Sequence, residues 1–314
     1  MHIRYLYATA VIGLATTPGC GGVNHQAPPD AKVDAAPDSA VPPDAAAARC
    51  DPSKPFGPPA LIPSINSDVR DQGAELIDDL TIIFGSDRPP GTGLYVATRA
   101  TPTGPFGTPA PLTAINATGG ATGPTLTADG LTMYYALTTG QDPGDIYVTH
   151  RNSRADAFVA GTRVAGVNTT AADLDPFISA DGATLYFDSA QGGTALHLYV
   201  ALRQPSGSFA TPQALTAFNT GAVDGHPVLS PDGLTLYWSS TRTDGGPKGG
   251  TDIWSARRTS TAGEFAGPAP VAELNSPMNE SMSWVSPDNC MVLLQSDRPD
   301  GVGLQDIYQA IRPL

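Results

Sequence analysis

Apolar residues along this chain come in short runs broken by Gly, Pro and Asp, a pattern of strands and turns. Pro124 to Thr127 reads as a short strand, Ala128-Asp129-Gly130 as a turn, and Leu131 to Leu137 as an apolar-aromatic strand. Asp145 to Arg151 follows as a third strand beyond a loop rich in Gly, Pro and Asp. Leu185-Tyr186-Phe187 and Leu236-Tyr237-Trp238 repeat the middle element, and such consecutive bulky residues fit a strand covered on both faces. Asp129-Gly130, Asp181-Gly182 and Asp232-Gly233 supply the positive φ of a two-residue hairpin. No stretch sustains a helical period.

The unit recurs. Phe56, Phe106, Phe158, Phe209 and Phe265 are spaced by 50, 52, 51 and 56 residues, and each leads to an Asn, at 66, 116, 168, 219 and 275. A turn Asp follows at 78, 129, 181, 232 and 288, then an aromatic at Tyr95, Tyr147, Tyr199, Trp254 and Tyr308 with an Arg four residues on. Such a period marks stacked or radial supersecondary units. If the strands after each Asn are a, b and c, the Phe-led segment is d. The chain then ends on strand c, Ile307 to Arg312, and Phe56 to Ile65 is an orphan d strand. Pairing the two predicts an all-β fold: a five-bladed β-propeller of four-stranded antiparallel blades, closed by its N-terminal strand so that few edges stay unpaired.

Upstream of the repeats, residues 1–20 carry a basic Arg4, an apolar stretch from Tyr5 to Ala15 too short to span a bilayer, and small residues before Cys20. This reads as a signal peptide whose end resembles the lipobox of bacterial lipoproteins, with Cys20 as the acylated residue, although Thr17 and Pro18 depart from the usual pattern. Residues 21–50, dominated by Ala, Pro and Asp, read as a disordered tether, and residues 51–314 as the propeller. A net charge of −13 and a pI near 4.5 argue against nucleic acid and anionic lipid as partners. The expected location is the cell envelope, periplasmic or at the outer membrane surface, with membrane contact through the lipid alone and the domain a monomer. With Cys20 set aside, Cys50 and Cys290 remain as a pair. Cys50 precedes the closing d strand and Cys290 opens strand b of the same blade, so both enter from one face. Their two strand spacings, about 10 Å, are within reach of residues 51–55, which predicts a disulfide.

The fourth copy, with Pro227-Val228-Leu229-Ser230-Pro231-Asp232-Gly233, Leu236-Tyr237-Trp238, Ser239-Ser240-Thr241-Arg242 and Asp252-Ile253-Trp254, resembles the WD40-like repeats of the TolB type. The resemblance runs from about Phe56 to Leu314. It implies a propeller and transfers little function, because TolB resembles six blades behind an α/β domain. Kelch repeats have a similar length, but their double glycine with following Tyr and Trp is absent.

Eight residues before the turn Asp stand Asp173, Asp224 and Glu280, with Asp71 one residue closer in unit one and Ala121 in unit two. These carboxylates fall at the channel mouth and are the candidate binding residues for a divalent cation or a polyol; no other cofactor is expected. A repeated carboxylate more commonly braces a loop, as do Asp145, Asp252 and Asp306 in the Asp-Ile-Tyr runs. His226 lies beside Asp224 but carries no ligand spacing. No Gly-x-Ser-x-Gly occurs, and Glu is limited to positions 75, 264, 273 and 280. The expectation is a non-enzymatic, lipid-anchored scaffold for an envelope protein or glycan, with no catalytic residue assigned. The alternatives are a five-bladed enzyme like the glycoside hydrolases, whose chemistry needs paired carboxyl groups, and a lectin-like propeller.

Overall fold

The computed structural model describes residues 49–314 apart from 141, 194 and 247. The expected signal peptide, Cys20 and nearly all of the expected tether lie outside the described residues. Five four-stranded antiparallel sheets form the blades of a five-bladed β-propeller. Strand β1 (Ala60–Leu61) belongs to the last blade. Blade one holds β2 (Asp71–Asp78), β3 (Thr81–Ser86), β4 (Gly93–Thr98) and β5 (Ala110–Pro111). A four-residue helix, α1 (Thr113–Asn116), links it to blade two, with β6 (Gly120–Leu126), β7 (Thr132–Thr139), β8 (Asp142–His150) and β9 (Thr162–Arg163). Blade three comprises β10 (Asp173–Ile178), β11 (Thr184–Ser189), β12 (His197–Leu202) and β13 (Gln213–Ala214). Blade four comprises β14 (Asp224–Leu229), β15 (Thr235–Ser240), β16 (Asp252–Arg257) and β17 (Ala266–Pro270), and blade five β18 (Glu280–Val285), β19 (Met291–Ser296) and β20 (Asp306–Ile311).

Each blade begins with strand a at the axis and ends with a short strand d outside. The bulky runs occupy strand b and are buried: Ile82, Ile83 and Phe84, Tyr134 and Tyr135, Leu185 and Phe187, Leu236 and Trp238, Val292 to Leu294. They pack into the cores between adjacent blades. The chain closes where Ala60 pairs with Gln309 and Leu61 with Tyr308, so the closing ladder is two residues long. A disulfide joins Cys50 to Cys290 beside it.

The repeated residues have assignable jobs. Every repeat Asn uses its side-chain amide as a piece of strand: Asn116 accepts from Leu94 N–H at 2.8 Å and donates to Leu94 C=O at 2.9 Å. Asn168, Asn219 and Asn275 do the same to Ile146, Leu198 and Ile253, and Asn66 does so to Ile307 across the ring closure. Each repeat Arg lies over the next repeat Phe, from Arg99 on Phe106 at 4.6 Å to Arg312 on Phe56 at 3.6 Å, while its Nε donates to a carbonyl of the a–b turn.

One local expectation needs correction. The Asp-Gly hairpins are not two-residue turns: Leu126 pairs with Met133, and Gly130 N–H bonds to Thr127 C=O at 2.7 Å, which makes a wider turn. Only the Gly of each pair takes positive φ, 69° at Gly130, Gly182 and Gly233, while the Asp carboxylate accepts the N–H two residues on.

Candidate functional site

Asp71, Asp173, Asp224 and Glu280 are fully buried at the start of their a strands. Each carboxylate accepts the backbone N–H and hydroxyl of a residue four earlier: Ser67, Thr169, Thr220 and Ser276. Three also meet an arginine of the b–c loop, at 3.2 Å for Arg88–Asp71, 3.0 Å for Arg242–Asp224 and 3.2 Å for Arg298–Glu280. Their oxygens thus knit the d–a loop to the b–c loop, and the arrangement gives no support to a shared ligand site across the channel. Asp252 and Asp306 likewise accept N–H groups of their own loops, from Lys248 and Gly249 and from Val302 and Gly303.

The groups that do converge lie two residues further along the a strands. There each strand carries a bulge. The bulge residues there are Gly73, Gly123, Asp175 and His226, with φ of 58°, 55°, 46° and 50°, while in blade five Met282 at the same count is still paired with Leu294 and the bulge follows it. Gly suits this conformation, whereas Asp175 and His226 hold it at a cost of the order of 1 kcal/mol each. The two Gly bulges admit close packing: a Cβ on Gly73 would lie 3.1 Å from the Gly123 Cα. The bulges ring an axial well of about 30 Å³, room for roughly one water.

Two side chains of the b strands complete the set. Asp188 of β11 accepts the His226 N–H at 3.0 Å, and Gln295 of β19 accepts the Gly73 N–H at 2.6 Å, so each secures the bulge of the following blade. The anchored Gln295 amide sends its nitrogen to His226 Nε2 at 3.3 Å, and Asp175 Oδ2 stands 3.3 Å from the same atom. One potential ligand atom from each of Asp175, Asp188 and His226 lies within 4.8 Å of the others. Asp188 is fully buried, and its Oδ1 has no hydrogen-bond donor. Burial first, then the facing Asp175 carboxylate, holds the Asp188 carboxyl well above the usual carboxylate range. The site depends on Gly225, where a Cβ would fall 2.4 Å from Asp188 Oδ2.

A larger cleft, about 540 Å³, opens between blades two and three on the opposite face. Its arginine, Arg203, is committed to Gly182 C=O, Gly207 C=O and the Tyr134 hydroxyl, so the smaller axial well is the richer in available chemistry. The sequence places His226 near the channel, whereas no motif marks Asp175 or Asp188. Their signal lies in aligning the repeats: the position two beyond the mouth carboxylate is Gly in blades one and two, then Asp and His.

No protein-family model matches the chain, and no curated protein matches it. Solved structures do. A thermostable family-43 glycoside hydrolase is similar over 80% of this chain and 92% of its own, with a TM-score of 0.54 and 12% identity. A GH43_1 enzyme from Xanthomonas citri is similar over 81% and 90%, with a TM-score of 0.53 and 15% identity. TolB from Acinetobacter baumannii gives a TM-score of 0.45 at 18% identity over 82% of this chain, which spans 54% of the TolB length. At these identities the likeness shows the fold. Glycoside hydrolases recur among these neighbours, which runs against the expectation of a non-enzymatic scaffold.

Proposed function

We propose that this chain is a glycoside-hydrolase-like enzyme acting on a glycan presented at the mouth of the propeller, with its reaction centre in the axial well. The observation that carries the reading is the departure of blades three and four from the repeat. Where the other blades carry Gly or Met at this count, two carboxyl groups and an imidazole are gathered at the axis, and the side chains of Asp175 and His226 are 22% and 31% exposed. Cleavage of a glycosidic bond requires one group to protonate the leaving oxygen and another to activate water or attack the sugar, and the part-exposed His226 imidazole and Asp175 carboxylate are offered for those two roles in that order. Asp175 is the carboxylate a bond lying over the mouth can reach, and Asp188, behind it, fixes the His226 backbone. The well itself is too small for a sugar ring, so the substrate rests across the mouth.

One of the structural neighbours is a GH62 hydrolase in complex with xylotriose, which makes pentose oligosaccharides the first panel to try. The full chain is incubated with xylo-oligosaccharides and aryl pentosides, and released sugar is measured. Cleavage that falls at least about a hundredfold in Asp175→Asn is the expected result; no cleavage across pentose, hexose and uronic-acid panels would sink the reading. The TolB-type repeat, export and a Cys20 lipid anchor that places the enzyme at the envelope belong to the same proposal, checked by loss of acyl labelling in Cys20→Ala.

A further inference from the structure

Blade three lacks a counter-charge that three other blades possess. Where Asp71, Asp224 and Glu280 meet Arg88, Arg242 and Arg298, the corresponding residue two beyond Ser189 is Gln191. Asp173 therefore has no arginine, and its Oδ1 is buried without a donor. The same blade adds Asp175 and the buried Asp188, so three carboxyl groups stand together. Among the described residues no Lys or Arg pairs with them, and His226 is the basic side chain in contact. Buried carboxylates without a compensating cation are costly.

We propose that the axial well is a binding site for a divalent transition-metal ion of the zinc or manganese class, with Asp175, Asp188 and His226 as its protein ligands. The proposal stands on the geometry and does not require the proposed activity. Asp188 Oδ1 is a fully buried oxygen with no hydrogen-bond donor, on a carboxyl group grouped with Asp175 and His226. His226 Nε2 and Asp175 Oδ2, 3.3 Å apart, are spaced like two neighbours in a shell with bonds of about 2.1 Å. The ligand atoms of all three residues lie within 4.8 Å of one another, so side-chain adjustments of up to about 1 Å bring them onto one ion. One imidazole with two carboxylates favours a borderline metal over calcium or magnesium, which take oxygen ligands. Gln295, anchored on the Gly73 N–H, sends its amide nitrogen to the same His226 Nε2 and would yield that lone pair to a bound ion.

Full-length protein is stripped with EDTA, titrated with zinc, manganese or calcium chloride, desalted, and its metal content and titration heats are measured. One zinc or manganese ion per chain is expected. Asp175→Asn and His226→Gln should each weaken it at least about a hundredfold, since even losing a supporting group costs 10–100-fold. Both positions are part-exposed, and circular dichroism confirms that the variants are folded. His150→Gln, an exposed residue on the opposite face, should leave the binding unchanged. A parent chain that retains no metal at micromolar concentration overturns the proposal. So does zinc bound equally by Asp175→Asn and His226→Gln, or calcium bound in preference to zinc. Bound metal without glycoside cleavage supports the site and removes the hydrolase reading alone.

Discussion

Glu75 shows how one buried side chain can make the ring sensitive to alkali. It sits in β2, and its Oε1 accepts the Leu126 N–H of blade two at 3.1 Å, while Oε2 is buried with no donor. Thr125 serves the next interface in the same way, accepting the Ile178 N–H at 3.3 Å. A neutral hydroxyl suffices there, but a carboxyl can ionise. Burial raises the Glu75 carboxyl from 4.5 to about 8. Because the folded value lies above the unfolded one, the neutral group's contribution is complete below about pH 4.5 and is lost as pH rises through about 8. The loss has an upper bound of about 5 kcal/mol from the size of the shift. Glu75→Gln should thus match the parent in urea unfolding at pH 4 and exceed it by several kcal/mol at pH 9. Equal stability of the two proteins at pH 9 would refute this.

At the scale of the strand, the repeat Asn decides whether neighbouring segments are tied. Asn66 bonds Ile62 C=O and Ile307 C=O at 3.0 Å each and accepts the Ile307 N–H at 2.8 Å, across 241 residues of sequence. Asn219→Ala in blade four removes the same pair from Leu198. Either substitution leaves a buried N–H, of Ile307 or Leu198, unpaired at about 1–3 kcal/mol, while the carbonyl of the same residue keeps its bond from the Ile62 or Leu215 N–H. Asn66→Ala and Asn219→Ala should each lower stability by about 2 kcal/mol without changing the urea m-value. A loss below about 0.5 kcal/mol in both would show that the amide bridges are replaced by solvent.

Elements of this kind were legible in the sequence because the repeat presented each residue five times in the same phase. The a strand beginning at Asp173, Asp224 and Glu280 follows from counting back from the turn. The hairpin type is not legible because Asp-Gly fits several turns, and only the backbone shows that Asp129 caps the loop while Gly130 alone bends left-handed. The axial centre was hidden for another reason. Asp188 lies in a run that reads as core, Leu185-Tyr186-Phe187-Asp188, and its contact with His226 crosses 38 residues from one blade to the next. That contact depends on how far each bulge turns its strand, which residue pattern alone does not fix.

The whole ring is held at its seam by several unequal fasteners. Two ladder pairs of β1 with β20, the Asn66 bridge and Arg312 over Phe56 join the ends noncovalently, and the Cys50–Cys290 disulfide adds a covalent clasp over a separation of 240 residues. Loop entropy assigns such a clasp up to about 5 kcal/mol, acting mainly on the unfolded chain. The native contacts of β1 are unaffected by its removal, so Cys50→Ala with Cys290→Ala should still fold cooperatively, with the urea midpoint lowered. Deleting residues 56–65 is a different lesion. It removes Phe56 from the core of the last blade, Ile62 and Ile65 from the next interface, and the partner of the β20 edge. That edge would then be exposed to intermolecular pairing. The truncated chain is expected to lose its cooperative transition and to aggregate, as followed by circular dichroism and light scattering. A truncated protein that melts like the parent, or a double Cys variant that no longer folds, would mean that the seam is fastened by the disulfide and not by the strand.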